Sequence, residues 1–217
     1  MNTKSDSMHD FLRSTEIINW THPLVSRQAR ALCAQRSDVA ATAQNCFEWV
    51  RDHIAHSHDY RMSPTTCSAS EVLAAGTGYC FAKSHLLAAL LRANGIPTGF
   101  CYQRLSRDGQ SQPFVLHGLT AVHLPLHGWY RADPRGNRAD IDAQFTPPVE
   151  RLAFCIGLPG EADLPEIWTD PLPVVIDALR SFGTWETLWD NLPDIEPHRL
   201  QNQIGHRSAT QKTQAKE

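Results

Sequence analysis

The segment from residue 78 to residue 97 constrains this chain more than any other. Residues 80–94 read Cys-Phe-Ala-Lys-Ser-His-Leu-Leu-Ala-Ala-Leu-Leu-Arg-Ala-Asn, apolar enough on every side to predict a helix inside a core. Thr77-Gly78-Tyr79 predicts a tight turn before it. Gly95, with Pro97 just beyond, predicts a left-handed cap and a hard stop after it. A fold must therefore be built around one buried helix whose first residue is a cysteine.

The flanking segments supply the layers. His22-Pro23 opens a helix with Leu24, Ala31, Leu32 and Ala34 as apolar positions. Ser37-Asp38 reads as the N-cap of a second helix, whose apolar face runs Val39, Ala43, Cys46, Phe47, Val50 and Ile54. Residues 56–70 read as loop. Ser68-Ala69-Ser70-Glu71 carries the capping-box pattern for a short helix through Ala75, ending at Gly76. After the central helix, residues 98–105, 114–124 and 128–133 read as strands separated by turns. Beyond Pro134 the chain is irregular, with short helices predicted over residues 172–182 and 185–192. Helices grouped before an antiparallel sheet predict an α+β domain. Its bounds are set at 21–197, between a flexible N-terminal segment (1–20) and a polar, disordered tail (198–217).

Composition narrows the function classes. Across 217 residues, 41% are apolar and 20% charged, with a formal net charge of -3, so no strong field of either sign invites nucleic acid or an acidic membrane surface. No stretch reaches the roughly 20 apolar residues of a membrane span, and the N-terminus lacks an export signal, which predicts a cytoplasmic protein. The six cysteines (Cys33, Cys46, Cys67, Cys80, Cys101 and Cys155) form no CxxC pair and are read as reduced, Cys101 and Cys155 as core residues.

Cys80 carries the chemistry. A thiol at a helix N-terminus meets the positive end of the helix dipole and unpaired backbone N–H groups, which favour the thiolate and can bind an oxyanion. Such a nucleophile needs a base, and the base an orienting partner. His117 lies in the second strand and Asp133 at the end of the third, adjacent across one hairpin. Each residue alone has a plainer reading: a buried structural thiol, a strand histidine, a turn residue before Pro134. His123 shares the strand parity of His117, and His127 is close by. His53, His56 and His58, with Asp52 and Asp59, suggest a metal cluster but read better as a solvated helix end. Lys83 and His85 either line a cleft or are ordinary partly exposed residues, and the second reading is preferred. Arg131 and Arg135 flank Asp133 and either bind a substrate carboxylate or lie on the surface. Trp168, Trp185 and Trp189 read as packing for the C-terminal helices.

Three blocks in order resemble the transglutaminase-like superfamily. They are Gly78-Tyr79-Cys80 opening an apolar helix that ends in Gly95-Ile96-Pro97, the strand His117-Gly118-Leu119-Thr120-Ala121-Val122, and Gly128-Trp129-Tyr130-Arg131-Ala132-Asp133-Pro134. The resemblance covers roughly residues 70–135. It implies a papain-like half-fold with a triad of Cys80 as nucleophile, His117 as base and Asp133 as orienting group. It further implies acyl transfer or hydrolysis at an amide or ester carbonyl of a peptide, protein or small amide, through a thioester, with no cofactor or metal. Water is the expected acceptor, giving a peptidase or amidase. Amine transfer and a catalytically silent binding module are the alternatives. The sequence departs from the family in having Gly118, Leu119 and Ala121 where Ala-Trp and an acidic residue usually follow the histidine. Ala74 stands six residues before Cys80, where papain-type enzymes place a glutamine oxyanion donor; His58 and Tyr60 are the side chains nearby that could replace it.

Overall fold

The computed structural model describes residues 7–33 and 38–196. The chain passes in order through α1 (Pro23–Cys33), α2 (Val39–His53), β1 (Ala55–His56), α3 (Ser57–Tyr60), α4 (Ala69–Ala75), β2 (Thr77–Gly78) and α5 (Cys80–Ala93). It continues through β3 (Thr98–Ser106), β4 (Phe114–Leu124), β5 (Gly128–Ala132), β6 (Ala162–Asp163), α6 (Pro173–Ser181) and α7 (Trp185–Trp189). The main sheet is antiparallel with the order β5-β4-β3-β6, and β1 pairs with β2 in a separate parallel bridge. This is the α+β arrangement expected.

α5 is the axle. Residues Cys80 to Arg92 are all buried, between α1, α2 and α4 on one side and β3 and β4 on the other. Leu86, Leu87, Leu90 and Leu91 have no exposed surface, and each contributes roughly 1.5–3 kcal/mol of burial. Local signals agree with the packing. Asp38 caps α2 by accepting from the Ala40 N–H at 2.9 Å, Ser68 and Glu71 close a capping box on α4, and Gly76 ends it in the left-handed region.

Lys83 and His85 are corrections, for α5 has no exposed face. Lys83 is fully buried and donates to the carbonyls of Arg51 and Ile54 at the end of α2. His85 donates through Nδ1 to the Cys67 carbonyl at 2.7 Å. Burial, reinforced by the charge of Arg135, pushes Lys83 down to about 7. In the unfolded chain the same amine titrates near 10.5. The unfolded chain therefore binds more protons between those values, and this group's contribution to stability rises with pH across that interval. In Lys83→Met that slope disappears. The stability of the variant relative to the natural chain should fall by roughly 1.5 kcal/mol between pH 7 and pH 8.5 in denaturant titrations. A difference that stays flat with pH would show that Lys83 keeps its proton throughout.

Other elements also differ from expectation. Residues 7–20 carry sparse apolar side chains in a polar setting, yet Phe11, Ile17 and Ile18 enter the core, and the Ala69 N–H donates to the Ile17 carbonyl. α1 buries Val25 and Ala29 and leaves Ala31 exposed. Residues 57–60 form a helical turn where loop is expected. Thr77-Gly78 pairs with Ala55-His56 instead of making a tight turn, because a two-residue bridge is too short to show a period in sequence. Cys155 is exposed, whereas Cys101 is buried. Ala34, Ser37 and the expected tail at 198–217 lie outside the described residues. Among the described residues, no helix is long and apolar enough to cross a membrane.

Gly118 explains one departure from the family pattern. A Cβ there would stand 2.6 Å from Phe81 Cδ1 and 3.3 Å from Phe81 Cα. Glycine lets β4 approach α5 closely, beside both Cys80 and His117. Gly118→Ala should therefore lower the unfolding free energy by about 1–3 kcal/mol in denaturant melts. Unchanged stability would mean that the helix and strand can separate freely.

Candidate active site

Cys80 is the first residue of α5, and Tyr79 before it has extended backbone and provides no side-chain cap. The backbone N–H of Cys80 thus belongs to an uncapped first turn, whose dipole favours negative charge. Two contacts fix this entry. The Tyr79 hydroxyl donates to the Trp185 carbonyl at 2.6 Å. A Cβ at Gly78 would meet Ala82 Cβ at 3.1 Å and Thr66 Oγ1 at 3.2 Å, so a small residue is needed where the chain turns into the helix.

His117 comes from β4 and Asp133 from just beyond β5. Thr120 pairs with Ala132, so extending that register sets Asp133 opposite Leu119, one diagonal step from His117. The two side chains meet: His117 Nε2 lies 2.7 Å from Asp133 Oδ2, and the carboxylate has no exposed surface. Asp133 also accepts from the backbone N–H groups of Arg135 and Ala153, each at 3.1 Å. With Nε2 engaged by Asp133, Nδ1 is the nitrogen of His117 left for the cleft that it lines with Cys80. Phe154 closes the outer side, its ring edge-on to His117 at 5.0 Å.

Burial alone would lower the basicity of this imidazole. The Asp133 carboxylate and the Cys80 sulfur outweigh it and hold His117 well above the ordinary histidine range. Burial likewise disfavours the charge on Asp133, but His117 and the two backbone donors keep it below the usual carboxylate range. Elsewhere burial pushes the thiols of Cys46 and Cys101 up to about 12 and that of Cys67 to about 11, which keeps them protonated near neutrality.

The three residues singled out in sequence are therefore brought together, and their competitors are not. His123 packs edge-on to Trp129, and His127 sits exposed on the hairpin. Arg131 pairs with Glu150 and Asp163 at the surface. Ala74 is exposed on α4, and Tyr60 is 67% exposed. The histidine cluster splits: His53 stacks on Trp49, while His56 and His58 line the cleft with Cys80 and His117. Among the described residues no group of three or more His, Cys, Asp or Glu is placed to hold a metal ion.

The cleft encloses about 390 Å³. One wall is a charged network that sequence reasoning missed. Asp59 accepts from Arg135 at 2.7 and 2.9 Å and from Arg138 at 3.0 Å. His58 stacks on Trp189 at 4.0 Å, so Trp189 faces the cleft and does more than pack helices. Only proximity in the fold reveals this wall, since Asp59 and Arg135 are far apart in the chain. Apolar side chains such as Leu105 and Val115 line the other side. A thiol at an uncapped helix start, beside an imidazole fixed by a buried carboxylate, is equipped for attack on a carbonyl and for proton transfer to its leaving group.

A family model described as the transglutaminase-like superfamily matches residues 26–134. No curated protein matches the sequence. Similar solved structures include a protein described as a putative cysteine protease from Cytophaga hutchinsonii, at 17% identity and TM-score 0.49, covering 62% of this chain and 43% of that one. The periplasmic domain of TgpA from Pseudomonas aeruginosa is similar at 18% identity and TM-score 0.44, covering 60% and 48%. A putative protease from Parabacteroides distasonis follows at 10% identity and TM-score 0.38, covering 57% and 24%. This chain thus spans less than half the length of each.

Proposed function

This chain belongs to the transglutaminase-like superfamily, and on that premise we propose that it is a thiol-dependent acyl-transfer enzyme acting in the cytoplasm on an amide or ester carbonyl, with water as acceptor. The observation that carries this reading is the buried 2.7 Å contact between His117 and Asp133, with Cys80 lining the same cleft as that imidazole. Cys80 sulfur attacks the carbonyl carbon, and the carbonyl π electrons move to oxygen. The tetrahedral intermediate collapses to a thioester as His117 gives its proton to the departing nitrogen or oxygen. Water then attacks the thioester while His117 takes its proton. The second intermediate releases a carboxylic acid and restores the Cys80–His117 pair. Asp133 keeps the imidazole in the tautomer that both steps need and stabilises its charged form.

Peptides, proteins and small amides are the proposed substrates. Amine transfer is the same chemistry with a different second nucleophile. One experiment addresses both reaction class and acceptor. The protein is mixed with p-nitrophenyl acetate and quenched for peptide mass spectrometry, with and without added hydroxylamine. The reading expects an acetyl group on Cys80 that water removes, with release of acetate. Dominant transfer to hydroxylamine over water would favour a transferase. A Cys80 that is never acetylated would favour the silent binding module.

A further inference from the structure

The cleft holds an imidazole that the triad does not use. His56 ends β1, and its pairing with Gly78 places it across a bridge from the turn that delivers Cys80. It lines the same cleft, with its ring edge-on to Tyr79 at 5.4 Å. The side chain is 7% exposed, and its Nδ1 is buried without a hydrogen-bond partner. Asp59 Oδ2 stands 3.6 Å from that nitrogen, beyond hydrogen-bond reach, and the same carboxylate already accepts three guanidinium N–H groups from Arg135 and Arg138. Burial keeps the ring neutral, and the charges of Arg135, Lys83, His117 and His58 act in the same direction. A neutral ring carries one proton. Among the described residues neither ring nitrogen has a hydrogen-bond partner, so with the proton on Nε2 the ring presents a free donor to the cleft that it lines.

We propose that His56 is a catalytic residue: its Nε2–H donates to the substrate's carbonyl oxygen as negative charge develops there, together with the backbone N–H of Cys80. This rests on the acyl-transfer reading above and supplies the donor for which Ala74 has no side chain. A neutral donor suits the task, because it stabilises the oxyanion in a dry site without placing a second cation beside the His117 imidazolium. The orphaned Nδ1 is then the cost of keeping Nε2–H aimed at the reaction, a local strain of the kind that collects at functional sites.

Two reactions of the same sulfur separate this role from a structural one. Acetylation by p-nitrophenyl acetate passes through an oxyanion, whereas alkylation by iodoacetamide displaces iodide at a saturated carbon and does not. In His56→Ala, acetylation of Cys80 should slow by about a hundred- to a thousandfold, with alkylation within about twofold of the unsubstituted protein. His56→Gln returns an N–H donor near the Nε2 position and should recover at least about tenfold of the lost acetylation rate. The proposal is overturned if His56→Ala slows both reactions in parallel, if it slows neither, or if His56→Gln is as slow as His56→Ala. Failure of the underlying reading looks different: Cys80 of the unsubstituted protein would then be slow in both reactions.

Discussion

Asp133→Ala should cost about 3–5 kcal/mol of folding free energy and lower the rate of acetyl-enzyme formation by roughly ten-thousandfold. Removing the carboxylate strands a buried imidazole and leaves the N–H groups of Arg135 and Ala153 without their acceptor. The pH dependence carries the sign of the pair. Asp133 is depressed, so its contribution is present above the ordinary carboxylate value near 4 and fades as pH falls through the folded value. His117 is raised, so its contribution is complete below the ordinary histidine value near 6.5 and fades as pH climbs toward the folded value. The stability lost in Asp133→Ala should therefore be greatest between about pH 4 and pH 6.5 and shrink on either side. Urea titrations of both proteins across that range check this. A loss independent of pH would mean that the two groups are not ionised together.

Cys80→Ala should have the opposite profile, with activity removed and the fold kept. Its side chain is small and the position is the first of a helix, where alanine fits without strain. Turnover of p-nitrophenyl acetate should drop by at least about ten-thousandfold, while the urea midpoint moves little. Loss of the sulfur also removes one of the two partners that raise the basicity of His117. The imidazole resonances in an NMR titration should then shift their midpoint downward. Residual turnover within tenfold of the unsubstituted protein would place the reacting nucleophile elsewhere, with the cleft thiol Cys155 the first alternative.

The parts of this molecule that were legible in sequence are those where several signals agree. α5 shows an apolar run, a glycine before it and Gly95-Ile96-Pro97 after it, and packing does not contradict any of them. The grouping of Cys80, His117 and Asp133 in one place could be read because a helix start and one short hairpin fix three positions almost independently of the rest of the chain. What could not be read depends on long-range placement. Lys83 is polar and reads as exposed, yet the carbonyls at the end of α2 satisfy it inside the core. Phe11, Ile17 and Ile18 are too widely spaced to give a period, so their segment reads as loose although they are buried. Phe154 and the Ala153 N–H reach His117 and Asp133 from an irregular loop with no pattern to betray them. His56 sits in a stretch that reads as loop, and only its pairing with Gly78 brings it to the cleft.

On the proposed function, Cys80 and His117 form an activated pair. Its most direct test is the rate of iodoacetamide alkylation at each of the six cysteines, resolved by peptide mass spectrometry from about pH 5 to about pH 8, in the unsubstituted protein and in His117→Ala. Cys80 alone should react fast at the acid end, Cys46, Cys67 and Cys101 should stay slow, and Cys80 should lose its advantage when His117 is removed. If Cys80 in the folded protein is no faster than Cys33 or Cys155 at the acid end, or keeps its rate without His117, the pair does not exist as an activated nucleophile and the catalytic account is wrong.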